Sequence, residues 1–186
     1  LAVLATAITL ERMWTLRRSE VIPHGIVQEI EHWSRGKTLE TSEIQRLRQD
    51  SPLGELLAAA LLLRHRPREM IKERIEDVGR HITHDLNRFL PTLGTIASVS
   101  PLLGLLGTVI GMIEMFTAQS AGTGGDPSAL ASGIAVALYN TAFGLIVAIP
   151  ALLFWRGLKS RVNHLQLELE LESARFLRLA PDETLA

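Results

Sequence analysis

The sequence predicts an all-α integral membrane protein with three transmembrane helices, the first one truncated here, and long cytoplasmic helical extensions. Two observations carry that expectation. Between Phe89 and Trp155 there is no Lys, Arg or His, and the only acids are Glu114 and Asp126; all 19 Lys and Arg lie outside that window. Within it, Phe89 to Ile113 is uncharged over 25 residues and Ala129 to Trp155 over 27. A hydrocarbon core about 30 Å thick needs about 20 apolar residues as a helix, so each run is long enough to span.

The elements follow in chain order. Residues 1–18 open with LAVLATAITL and continue with ERMWTLRRS. Ten apolar residues cover about 15 Å of helix, half a bilayer, and the basic residues come after them, whereas a signal peptide carries its charges before. This segment therefore reads as the inner end of a first spanning helix. Residues 19–88 read as a cytoplasmic helical segment. From Ser51 onward apolar and charged positions alternate with helical spacing, and Ser51-Pro52 is a good helix start. Residues 89–116 are the second span, 117–128 a short periplasmic loop rich in Gly, Ser and Pro, and 129–155 the third span. Residues 156–186 form a C-terminal cytoplasmic helix with Leu158, Val162, Leu165, Leu169 and Phe176 near one face. Arg12, Arg17 and Arg18 flank the first span, Arg156, Lys159 and Arg161 the last, and the loop has no basic residue. By the positive-inside rule the loop then faces away from the cytoplasm and the rest faces in.

Composition excludes several classes. With a net charge of -1 the chain has no basic excess that would attract nucleic acid, and with no cysteine it has no thiolate nucleophile, thiolate metal site or disulfide. His81-x-x-His84-Asp85 has possible ligand spacing but lacks a third defined ligand. No phosphate loop, nucleophile elbow or HExxH sequence is present. Neither a cofactor nor a metal is expected, and the chain does not read as an enzyme.

The glycines of the spans fall into register. On the second span Ser100, Gly104, Gly107, Gly111 and Glu114 are spaced 4, 3, 4, 3 and form one narrow stripe, with Thr108 beside it. On the third, Gly133, Ala137, Asn140, Gly144, Ala148 and Ala151 form a similar stripe, with Thr141 next to Asn140. Small residues let helix backbones approach closely in lipid, so Gly104, Gly107, Gly111, Gly133 and Gly144 are candidate helix-packing positions. Thr108, Asn140 and Thr141 admit two readings: hydrogen bonds to neighbouring backbone, or the lining of a wet, ion-conducting path. A threonine does not titrate in a useful range. Glu114, the one carboxylate on the second span, falls near its outer end, so a proton path through this chain calls for a partner that supplies the acid.

The stretches IASVSPLLGLLGTVIGMIEMF (residues 96–116) and GIAVALYNTAFGLIVAIPALL (residues 133–153) resemble the MotA/TolQ/ExbB proton-channel family, most closely its ExbB branch. LERMWTLRRS is similar to the exit of that family's first helix. The resemblance implies a helical inner-membrane protein of a Gram-negative bacterium, working as a pentameric homo-oligomer around a dimer of an ExbD-like single-span partner that carries a membrane aspartate. It implies a TonB-like client energised by the proton gradient, with a TolQ role in the Tol-Pal system, or a passive membrane scaffold, as the alternatives. Thr108 and Thr141 match the two threonines that the family places beside the partner's aspartate. Val136 stands where many members have Glu, which shifts the titrating role onto the partner.

Overall fold

A computed structural model describes residues 1–23, 25–26, 41–64, 66–120 and 127–179. Among these the chain is helical, with no strand: α1 (Ala2–Thr15), α2 (Arg18–Val21), α3 (Thr41–Asp50), α4 (Pro52–Leu62), α5 (Arg68–Leu86), α6 (Leu90–Ser120) and α7 (Pro127–Leu179). Two helical runs are long and apolar enough to cross a membrane, one within Arg68–Thr117 and one within Ala131–Arg178. α1 has 14 residues, about 21 Å of helix, so the first of the three expected spans does not reach that length here. Most of the expected hairpin loop, residues 121–126, lies outside the described residues. The chain divides into two compact units, Leu1–Glu11 with Phe89–Gly157 and Arg12–Arg88 with Leu158–Ala186.

The second of these units has an aliphatic core. α4 begins where Ser51-Pro52 signals it: the Ser51 hydroxyl accepts the Gly54 N–H at 3.1 Å, and Pro52 occupies the first turn, where its missing N–H leaves no bond unmade. α4 packs against both α3 and α5. Leu53, Leu56, Leu57, Ala58, Ala59, Ala60 and Leu61 are all buried, so this helix has almost no wet face. Gly54 lies so close to the Leu47 carbonyl that no Cβ fits. α5 buries one stripe, Ile71, Ile75, Val78, Ile82 and Leu86, and leaves its charged side exposed. On the C-terminal part of α7, Leu158, Val162, Leu165 and Leu169 are buried and Phe176 half-buried.

Cations tie the helix ends of this unit together. The buried Arg12 donates to the Asp85 carbonyl at the C-terminus of α5 at 3.3 Å, and Arg161 donates to the Leu16 carbonyl just past α1 at 2.7 Å. Lys159 donates to the Asn87 side-chain oxygen at 2.6 Å, and Arg18 pairs with Glu168 at 2.8 Å. The last carbonyls of a helix have no partner inside it and carry the negative end of its dipole, which is where cations are favoured. After α5 the chain turns at Phe89, whose φ of 63° is left-handed. Asn87 caps α5 through its N–H and its side-chain amide, both bonded to the Thr83 carbonyl. Pro91 then falls in the first turn of α6, where proline is tolerated.

In the first unit, α6 and the first half of α7 form an antiparallel pair. Contacts run from Gly94 against Trp155 to Met115 against Gly133, residue numbers rising along α6 as they fall along α7.

Candidate functional site

The seam between α6 and α7 is built from absent side chains. A Cβ on Gly104 would lie 2.8 Å from the Asn140 carbonyl oxygen and 3.0 Å from the Thr141 Cα. One on Gly144 would lie 2.7 Å from the Ser100 carbonyl oxygen and 3.1 Å from the Gly104 Cα. In both places the obstacle is backbone, which cannot turn aside, and the helices touch main chain to main chain. One turn further along α6, Gly107 gives its space to the Asn140 side chain, whose Cβ would be 2.9 Å from an added methyl. At Gly111 the nearest atom is the Ala137 Cβ at 3.5 Å, an ordinary contact. Gly133 faces the flexible Met115 side chain at 3.1 Å. The five glycines singled out in the sequence therefore fall on this one seam, and they grade from no room at Gly104 and Gly144 to some room at Gly111.

The seam reaches further than the stripe that starts at Ser100. Ala97 is buried, and Gly94 lies under the Trp155 ring, whose Nε1 is 2.9 Å from where a Cβ would stand. Gly94 and Ala97 continue the same helical spacing toward the start of α6. The largest side chain on α7 fills the gap left by the smallest on α6.

The polar candidates sit along this seam. The Thr141 hydroxyl, half-buried, donates across to the Gly104 carbonyl at 3.5 Å, a long bond between helices. Thr108 lies one turn beyond Gly104; its half-buried hydroxyl donates to the Leu105 carbonyl of its own helix at 2.6 Å. Asn140 is exposed beside Gly107. In both threonines the hydrogen is directed at a backbone carbonyl, so the outward-facing atom is an oxygen lone pair. Such an oxygen accepts from water or from a protonated carboxylic acid. To serve a carboxylate the hydroxyl has to rotate and leave its carbonyl. Ser100 is buried and turned inward, donating to the Ile96 carbonyl at 2.7 Å, so it offers nothing to a path. Glu114 is exposed on α6, six residues beyond Thr108 and six before the helix ends at Ser120. His81 and His84 are exposed, and no group of three potential metal ligands occurs among the described residues.

The model of the MotA/TolQ/ExbB proton channel family matches residues 48–171, which takes in the buried helix α4, both helices of the seam and the two threonines. The chain belongs to this family. Among curated proteins it is 34% identical over 163 residues to a putative biopolymer transport protein ExbB-like 1 of Synechocystis, an alignment covering 86% of this chain and 64% of the relative. It is 44% identical over 95 residues to the biopolymer transport protein exbB1 of Vibrio cholerae, covering 50% of this chain and 42% of the relative. It is also 44% identical over 89 residues to the Tol-Pal system protein TolQ of Haemophilus influenzae, covering 48% of this chain and 39% of the relative. The chain thus spans less than two thirds of each of these three proteins.

Proposed function

We propose that the chain is the proton-channel and motor subunit of an inner-membrane complex of ExbB type, using the proton motive force to energise a TonB-like protein for transport across the outer membrane. The observation that carries the reading is the α6–α7 seam itself: within the family match, Thr108 and Thr141 are hydroxyls beside close-packed glycines in the uncharged runs of two apolar helices. In this reading the chain crosses the bilayer three times and assembles as a pentamer around an ExbD-like dimer. The seam glycines hold each subunit rigid. No covalent chemistry takes place. The partner's membrane aspartate takes a proton from outside and releases it inside; Thr108, Thr141 and Asn140 line its surroundings. Protonated, the carboxyl donates to a threonine oxygen; ionised, it draws the hydroxyl away from its carbonyl. The two protonation states thus ask for different hydroxyl rotamers, which gives the cycle two distinguishable seatings.

A TolQ role in the Tol-Pal system is the second reading, favoured by the 44% identity to the Haemophilus influenzae TolQ protein. The physics is the same and the client differs. The deciding experiment for channel against passive scaffold is proton flux into vesicles holding the chain with and without the ExbD-like protein of the same genome. Flux that requires both is the expected result. No flux from the assembled pair under a pH gradient and a membrane potential sinks the channel reading.

A further inference from the structure

α1 has two faces. Ala5, Ile8, Arg12 and Leu16 are buried, whereas Val3, Ala7, Leu10 and Trp14, at steps of four, three and four, are exposed. Arg17 follows Trp14 by three more residues, and its guanidinium lies back over the Trp14 ring, 4.2 Å from the centroid. The long cation is thus folded toward the open apolar face rather than stretched away from it. A Trp that is 63% exposed at the end of an apolar stripe suits the boundary between hydrocarbon and headgroups. Stacking on that ring holds the charge at the same level.

A second guanidinium borders the same turn. Arg161 of α7 donates its Nε–H to the Leu16 carbonyl at 2.7 Å, the peptide from which Arg17 springs. That bond covers a carbonyl at the negative end of α1, which would otherwise repel an anion. It leaves the Arg161 Nη groups without a partner among the described residues. No carboxylate pairs with Arg17 or Arg161 among these residues, and Glu168, further along α7, is engaged by Arg18 at 2.8 Å. Arg17 lies seven residues past Leu10 and Arg161 six past Trp155, where the two uncharged runs end. Each offset is about 10 Å at the helical rise. The headgroup layer reaches roughly 5–7 Å beyond the hydrocarbon core, and the flexible Arg stems cover the rest.

We propose that Trp14, Arg17 and Arg161 form a binding site for one anionic phospholipid, its phosphodiester held between the two guanidinia and an acyl chain laid along Leu10, Ala7 and Val3. The inference goes beyond the channel reading and does not depend on proton flux. A planar guanidinium donates two parallel bonds to phosphate oxygens, and two of them match the charge of a phosphodiester with no counter-ion in the protein. The headgroup carries no cation of its own, as in phosphatidylglycerol, because a choline or ethanolamine ammonium would cancel the attraction. The apolar stripe that leads to the cations selects a lipid over free phosphate. A bound lipid then ties the end of α1 to α7 at the membrane surface.

Native mass spectrometry of the full chain in detergent, titrated with phosphatidylglycerol or with phosphatidylcholine of the same acyl chains, is the test. Phosphatidylglycerol is expected to bind more tightly. Arg17→Gln should weaken it about fivefold, the effect of one basic residue near an anionic membrane surface. The Arg17 side chain makes no hydrogen bond among the described residues, so this variant leaves the fold alone. Arg161→Lys keeps the charge and should bind more tightly than Arg161→Gln. Arg74→Gln, which removes an exposed cation on α5, should leave binding unchanged. Equal binding of the two lipids overturns the proposal, and so does a loss in Arg17→Gln no larger than in Arg74→Gln. Displacement of the lipid by millimolar glycerol phosphate would make this a site for free phosphate and overturn it as well. An oligomer that takes up no phosphatidylglycerol would show a second copy covering this face, which also contradicts the proposal.

Discussion

The α6–α7 seam and the core around α4 are both helix packings, yet they are built from side chains of opposite size. Along the seam the contacts are Gly104 on Thr141 and Gly144, Gly107 on Asn140, and Gly144 on the Ser100 carbonyl. Around α4 they are Leu53, Leu56, Leu57 and Leu61, buried aliphatic side chains. The solvent accounts for the difference. In water, burying a Leu is worth about 1.5–3 kcal/mol, so a helix pair gains by bringing large side chains together. In lipid that drive is absent, and association depends on close van der Waals contact, which small residues allow. Large exposed side chains, such as Leu102, Leu106, Ile110 and Phe143, are then left on the outside of the seam helices. The pattern resembles a soluble domain turned inside out, and it marks where one medium gives way to the other.

The comparison makes enlarging substitutions harmful in the seam and shrinking ones harmful in the core. The largest effect is expected for Gly104→Leu: its Cβ meets a backbone oxygen at 2.8 Å, so the two helices have to part. Native mass spectrometry in detergent should find the assembly largely lost, while Gly111→Ala, with 3.5 Å to its nearest neighbour, should assemble as the unaltered chain does. Equal behaviour of the two would break the seam account. In the core the sign reverses. Leu53 is 0% exposed, and Leu53→Ala leaves a cavity that should cost about 2–5 kcal/mol, read as a lower melting temperature in detergent. A loss below about 1 kcal/mol would mean that α4 is not packed as a water-soluble core.

A smaller effect lies at Phe89. A left-handed φ costs an L-residue about 1–2 kcal/mol that glycine does not bear, so Phe89→Gly should raise stability by about 1 kcal/mol in the same melts. Unchanged or lower stability would show that the Phe89 ring contributes more than its backbone costs.

Much of this was readable beforehand. The uncharged runs, the stripe from Ser100 to Glu114 and the helix start at Ser51-Pro52 are local signals, and each depends on a period or a capping rule within a few residues. Leu158, Val162, Leu165 and Leu169 follow the same logic and are buried. What was not readable depends on partners distant in the chain. Arg12 looks like one more positive charge flanking an apolar run, yet it is buried and bonded to the Asp85 carbonyl, 73 residues away. LLAAALL in α4 is apolar on every side, so periodicity cannot show which face is inside; all but Leu62 are buried. Gly94 and Ala97 carried the right spacing to extend the stripe; the large Trp155 that fills the gap gave no such sign. At the candidate site, the sequence supplied Thr108 and Thr141 but not the direction of their hydroxyls, which depends on carbonyls placed by the packed pair.

The account rests on those two hydroxyls. Thr108→Val and Thr141→Val keep the shape of each side chain and remove only the O–H and its lone pairs. The Thr108 bond lies within its own helix and the Thr141 bond is long, at 3.5 Å, so the loss of stability should stay near 1 kcal/mol or below. Proton flux through vesicles holding the double variant and the ExbD-like protein is the direct measurement. The account predicts a normally assembled complex whose flux falls at least about tenfold, since one lost hydrogen bond to a charged group is worth roughly 1.5–3 kcal/mol. An assembled double variant that conducts at the unaltered rate would contradict it.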